Sequence, residues 1–191
     1  MNVQWLLLIY KTPSGVPSAG RVAIWRKLKA LGAVYFQNGA CLLPTSDEHR
    51  RTLKIIENDI TEMGGECFLL QAGPFDEQQQ KKVVARFNAD RDEAYTEFRE
   101  RCEAFEHEIA RESEAGKFTY AELEENEEDL KKLKTWLAKI KALDFYKASK
   151  GAESEDHLAR CDALLDRFAH EVFDAQQSEP SENSGDTGAR E

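Results

Sequence analysis

Nowhere does this sequence hold an apolar run near the ~18 residues that a membrane-spanning helix needs. Its longest such run, Trp5 to Tyr10, is far shorter, has no basic residue before it and no small-residue cleavage site after it. A secretory signal is therefore not expected, and the chain is expected in the cytoplasm. Cysteine is sparse: Cys41, Cys67, Cys102 and Cys161 lie far apart and form no CxxC pair. That excludes a zinc signature and a disulfide framework, and leaves reduced, mostly buried thiols as the expectation. The histidines, His49, His107, His157 and His170, show no His-x-x-x-His or carboxylate–histidine spacing, so no metal site is expected. A Gly-rich phosphate loop, a GxSxG elbow and a nucleophile with a motif-placed base are also missing, so the chain reads as non-enzymatic and without a cofactor. The acidic run Glu124 to Asp129 lacks the glycine turn and alternating ligands of a calcium loop and reads as a solvated helix face.

What the sequence does have is clear punctuation. Trp5 to Tyr10 (WLLLIY) shows no apolar/polar alternation and is bounded by Lys11-Thr12-Pro13, which predicts a strand buried on both faces in mid-sheet. After an irregular loop through Pro13, Ser14, Gly15, Pro17 and Ser18, the run Gly20 to Leu31 predicts an amphipathic helix with Val22, Trp25, Leu28 and Leu31 on its apolar face. Trp25 reads there as a core anchor rather than a stacking platform. Gly32 closes the helix, and Ala33 to Pro44 reads as a hairpin around Asn38-Gly39, which supplies the positive φ angles of a two-residue turn. Asp47 to Met63 predicts a second helix stopped by Gly64-Gly65, and Glu66 to Leu70 a last strand. The order β-α-β-β-α-β predicts a ferredoxin-like α+β domain over 1–73 whose first and third strands are central and whose two helices share one face.

After Gly73-Pro74 the composition changes. Asp76-x-x-Gln79 and Thr119-x-x-Glu122 read as capping boxes for two long helices. Tyr95, Phe98, Cys102, Phe105 and Ile109 step at heptad spacing, as do Leu130, Leu133, Leu137 and Ile140, and then Leu158, Cys161, Leu165, Phe168 and Val172. These seams, separated by turns at Gly116 and Gly151, predict an antiparallel three-helix, coiled-coil-like region over 76–175 that packs on itself or on a partner. Residues 176–191 lack apolar periodicity and read as a disordered polar tail.

Charge is uneven. The net formal charge is −10, yet up to Ile56 eight basic residues face Asp47 and Glu48, a local +6 that leaves −16 for the rest. An acidic chain is a poor nonspecific polyanion binder, but exposed charges are screened beyond ~8 Å, so a local basic patch can still contact phosphate. The candidate anion- or DNA-binding residues are Arg21, Arg26, Lys27 and Lys29 of the first helix. On spacing alone, a merely solvated helix face competes with a phosphate-contacting one.

The WLLLIY start, the RVAIWRKLKALGA helix, the hairpin ending in LLP, GGE before the next strand, FNADRDEAY and FTYAELEENEEDLKKLKTWLAKIKALDFY together resemble the N-terminal region of ChrB, the chromate resistance regulator. The resemblance covers about Trp5 to Val172. It implies a transcriptional repressor of a chromate-efflux operon that leaves DNA when chromate is present. It also implies a homodimer whose two basic helices face one operator, with chromate or another oxyanion as effector. Arginines of that family's first helix are implicated in DNA contact, and they match Arg21 and Arg26. Full-length members continue into a C-terminal domain that contributes to chromate sensing, where this sequence runs into its polar tail. More distantly, the hairpin half resembles PaaX-type regulators and small CRISPR-associated nucleases of ferredoxin-like fold. Those nucleases hold a metal with an Asp just after the first strand, whereas Tyr10-Lys11-Thr12 offers no carboxylate. The competing expectations are a non-enzymatic protein-interaction module using the heptad seams and a metal-dependent nuclease.

Overall fold

The computed structural model describes residues 3–13, 15 and 18–178. Its elements follow as β1 (Trp5–Lys11), α1 (Ser18–Ala30), β2 (Val34–Gln37), β3 (Ala40–Pro44), α2 (Asp47–Glu62), β4 (Glu66–Ala72), α3 (Glu77–Glu114), α4 (Tyr120–Ala142) and α5 (Gly151–Ser178). The class is α+β, a β-α-β-β-α-β region followed by helices. Packing divides the chain into a first unit that runs to Glu93 and includes Ile140–Ser149, and a second that holds Ala94–Lys139 and the chain from Lys150 on. The division falls inside α3, whereas the composition change lies at residues 73–76. The reason is that Val83, Val84 and Phe87 of α3 pack on the sheet. Helix α5 extends into the stretch expected to be a tail from 176; the remainder of that stretch, and part of the loop expected at 13–18, lie outside the described residues.

In the first unit the strands stand in the order β2-β3-β1-β4, so the first and third are central as the pattern predicts. Strand β1 is antiparallel to both neighbours, with Leu8 opposite Cys41 of β3 and Leu69 of β4. One face carries Leu6, Leu8, Cys41 and Leu43, and both helices cover it: Ile24 and Leu28 from α1, Leu53, Ile56 and Ile60 from α2. Each fully buried Leu or Ile stabilises this layer by roughly 1.5–3 kcal/mol relative to exposure. On the opposite face Trp5, Val34 and Leu42 pack with Phe87, and the Trp5 indole N–H donates to the Tyr146 hydroxyl at 2.8 Å. That cover stops short of the other end of β1. Ile9, expected to be buried, is 40% exposed beside its strand partner Phe68, which is 52% exposed.

Local chemistry accounts for the ends of the elements. Ser46 caps α2 by accepting from the His49 N–H at 3.0 Å, which satisfies one orphan donor of the first turn. Gly32 and Gly64 take positive φ just past α1 and α2, as the helix-stop reading requires. The hairpin differs from expectation: of Asn38 and Gly39 only Gly39 has positive φ, and the register shifts between Tyr35 and Gln37. A bulged turn therefore replaces the regular two-residue one. Gly39 also lies against β1, since a Cβ there would be 2.3 Å from the Tyr10 carbonyl oxygen.

In the second unit the predicted stepping is the buried stepping: Tyr95, Phe98, Cys102, Phe105 and Ile109 on α3, Leu130, Leu133 and Leu137 on α4, Cys161, Leu165, Phe168 and Val172 on α5. Asp76 accepts from the Gln79 N–H at 2.7 Å and Thr119 from the Glu122 N–H at 3.2 Å, so both expected caps form. Early α4 meets late α3 through Asn126 and Glu112, while late α4 meets mid α3 through Trp136 and Phe98, an antiparallel pairing. Gly151 is not a turn residue. It opens α5 where the Tyr95 ring leaves little room for a Cβ, and Lys147 takes the positive φ before it.

Candidate nucleic-acid interface

Helix α1 has two overlapping stripes, and the first unit buries one of them. Ile24 and Leu28 are 2% and 0% exposed, with Leu31 partly buried behind them. Val22 and Trp25, assigned by periodicity to the apolar face, are instead 39% and 48% exposed. The expected core anchor is thus a surface residue. Every fourth position from Arg21 lies within about 40° on a helix, so Arg21, Trp25 and Lys29 form one outward stripe, cation, indole, cation.

That stripe faces the β2–β3 hairpin across a groove of about 750 Å³. Lys11 at the end of β1 and Arg86 of α3 complete its basic lining, with Tyr10, Tyr35, Phe36 and the hairpin tip on the other side. Among the described residues, four that line the groove are cations and none is acidic. Phe36 is 51% exposed, so two large, half-exposed aromatics border the same space. Hydrogen bonds tie the residues of the groove floor together. The Tyr10 and Tyr35 hydroxyls lie 3.0 Å apart, and the Tyr10 N–H donates to the Gly39 carbonyl at 2.7 Å. Burial pushes both phenols above their ordinary range, so they stay neutral hydrogen-bonding groups. Burial likewise raises the neighbouring Cys41 thiol to about 12, which leaves it an inert packing group.

The predicted site residues separate. Arg21 and Lys29 line the groove; Lys27 turns to Asp59 of α2 at 2.6 Å; Arg26 is exposed, about 100° round the helix from Trp25. Lys29 is itself held by Asp90 of α3 at 2.9 Å, and Arg86 approaches the same carboxylate at 3.4 Å. Among the described residues Lys11 and Arg21 make no ion pair. The sequence reading assigned Trp25 to the core and did not name Lys11 or Arg86 as site residues. The four-residue spacing of Arg21, Trp25 and Lys29 was a legible signal; nothing local pointed to Arg86.

A second cavity, about 480 Å³, lies in the helical unit, lined by Glu108, Glu112, Glu125 and Asp129 among others. Its acidic wall does not suit a polyanion. Glu112 is 4% exposed and accepts from the Asn126 amide at 2.6 Å. Burial pushes its carboxyl above the ordinary glutamate range, and the nearby Glu122 adds to the shift.

The model of the family described as "Protein ChrB, N-terminal" matches residues 21–179. The chain belongs to this family. The matched span begins at Arg21 and takes in Trp25, Lys29, Phe36 and Arg86. A curated relative, Protein ChrB of Cupriavidus metallidurans, is 35% identical over 94 residues, 49% of this chain and 28% of that protein. The similar segment thus spans less than a third of this ChrB relative. No helix among the described residues is long and apolar enough to cross a membrane.

Proposed function

We propose that this chain is the DNA-contacting part of a transcriptional regulator of chromate resistance, acting without enzymatic chemistry. Membership of the ChrB N-terminal family supports the association with chromate resistance. The observation that carries the DNA contact is the groove beside α1, with Lys11, Arg21, Lys29 and Arg86 around it and no acid among the described residues of its lining. An Arg fork and Lys ammonium groups at that density suit phosphate oxygens. At the end of β1, where a ferredoxin-like nuclease would need a carboxylate, stand Tyr10, Lys11 and Thr12.

The interaction-module reading loses its main support, because the heptad seams bury one another inside the helical unit. A homodimer presenting two grooves to one operator, and chromate as the anion that lifts binding, belong to the same proposal. The test is a gel shift with DNA from upstream of the protein's own operon at several salt concentrations, with and without chromate, alongside sedimentation analysis. Affinity falling linearly in log–log form with salt, by ~0.9 per phosphate contact, is the expected result. Absence of salt-dependent binding would remove the proposal.

A further inference from the structure

We propose that the groove between α1 and the β2–β3 hairpin is a site for unpaired nucleotides of a nucleic-acid strand, with the Trp25 indole stacking on a base. The inference rests on the DNA-binding reading and narrows it to the state of the base. Trp25 is not one of the core residues, because α1 buries Ile24 and Leu28 instead. It nevertheless stands 48% exposed between two cations on its own helix, and Phe36, 51% exposed, lines the same groove. Phosphate recognition alone needs cations and hydrogen-bond donors; it has no use for two aromatic faces. The pairing of a basic groove with exposed aromatic rings is the chemistry by which single strands are held, since every base has a π-face and every nucleotide a phosphate.

A regular duplex keeps its base faces stacked on one another and offers the indole none of them. A strand in this groove must therefore be single, or must present a base drawn out of the stack. Arg21 and Lys29 flank Trp25 by one helical turn on either side, so phosphates next to the stacked base can meet a cation in both directions. On an operator, the groove would engage a base at a distorted or opened step, with the cations holding the neighbouring backbone.

The experiment uses the full chain and fluorescence anisotropy with a labelled thymidine strand of about twelve nucleotides, a strand of equal length and charge that lacks bases, and the duplex operator. Wild type is expected to bind the thymidine strand about tenfold more tightly than the abasic one. Trp25→Ala should lose that preference and bind both equally, Trp25→Phe should keep part of it, and Arg21→Ala should weaken both strands alike. Thermal melts of each variant confirm that it is folded. Equal wild-type affinity for thymidine and abasic strands, or an unchanged preference in Trp25→Ala, overturns the stacking site while salt-dependent operator binding still upholds the DNA reading. Failure of wild type to bind all three probes overturns both. Competition by free thymidine monophosphate at matching affinity would also overturn it, by reducing the site to a mononucleotide pocket.

Discussion

The ammonium of Lys29 on α1 lies 2.9 Å from the Asp90 carboxylate on α3, and Arg86, one turn earlier on α3, approaches the other oxygen of that carboxylate. A single acid, 12% exposed, thus ties α3 to α1 and partly neutralises two of the four cations among the groove's described residues. On the proposed DNA-binding reading, a phosphate entering the groove would compete with Asp90 for both cations, and Asp90 would act as a counterweight to binding.

Asp90→Asn should therefore tighten DNA binding at low salt and steepen its salt dependence by about one unit, the signature of one more cation free to displace counterions. The lost charged hydrogen bond should lower stability by about 1–2 kcal/mol. Titrations across a salt series with parallel denaturant melts measure both. Unchanged affinity and slope in a folded variant would show that Asp90 does not restrain the two cations.

The four basic residues of α1 should behave unequally. Arg21→Ala should shrink the salt slope by about one unit and Lys29→Ala by less, because Asp90 already holds its ammonium, while Arg26→Ala and Lys27→Ala should leave it nearly unchanged. The reason is position: the first two line the groove, Lys27 is engaged by Asp59, and Arg26 lies round the helix. Four single-variant titrations decide this, and a dominant effect of Arg26 would move the interface to another face of α1.

Core and surface on α1 can be told apart by stability. Ile24→Ala empties a buried position and should cost about 2–4 kcal/mol. Trp25→Ala should cost no more than about 1 kcal/mol despite its larger side chain, as expected of a substitution away from the core. Urea melts of the two variants give the comparison directly; the reverse order would mean that Trp25 is buried in solution.

Glu112→Gln should stabilise the helical unit near pH 7. Burial raises the folded-state pKa of Glu112, so the protonated form is favoured in the fold. Stability is then full below the ordinary glutamate range and declines as pH rises through the raised value. Glutamine keeps an oxygen for the Asn126 amide and carries no charge, so the variant should gain about 1 kcal/mol at pH 7. The gain should shrink towards pH 4, where the wild-type carboxyl is itself protonated. Thermal melts of both proteins across that range test it, and a pH-independent difference would point to packing rather than ionisation.

Several features follow from local sequence alone because their physics is local. The helix stops at Gly32 and Gly64 need positive φ, the caps at Asp76 and Thr119 need a side-chain oxygen three residues before an N–H, and the heptad steps from Tyr95 to Val172 need a single periodicity. The strand order was legible too, since the continuous apolar runs of β1 and β3 belong where neighbours lie on both sides.

The buried face of α1 and the composition of the groove were decided by tertiary structure. With Val22, Ile24, Trp25, Leu28 and Leu31 in one helix, two stripes satisfy the same 3.6-residue period, and the choice depends on which fits against Leu6, Leu8 and Cys41. Burying Ile24 and Leu28 turns Trp25 outward between Arg21 and Lys29. Arg86 joins them because α3 lays Phe87 on Trp5, and Ile9 stays exposed because that cover ends early. These are contacts between segments tens of residues apart, and no local periodicity encodes which side of one element will meet another.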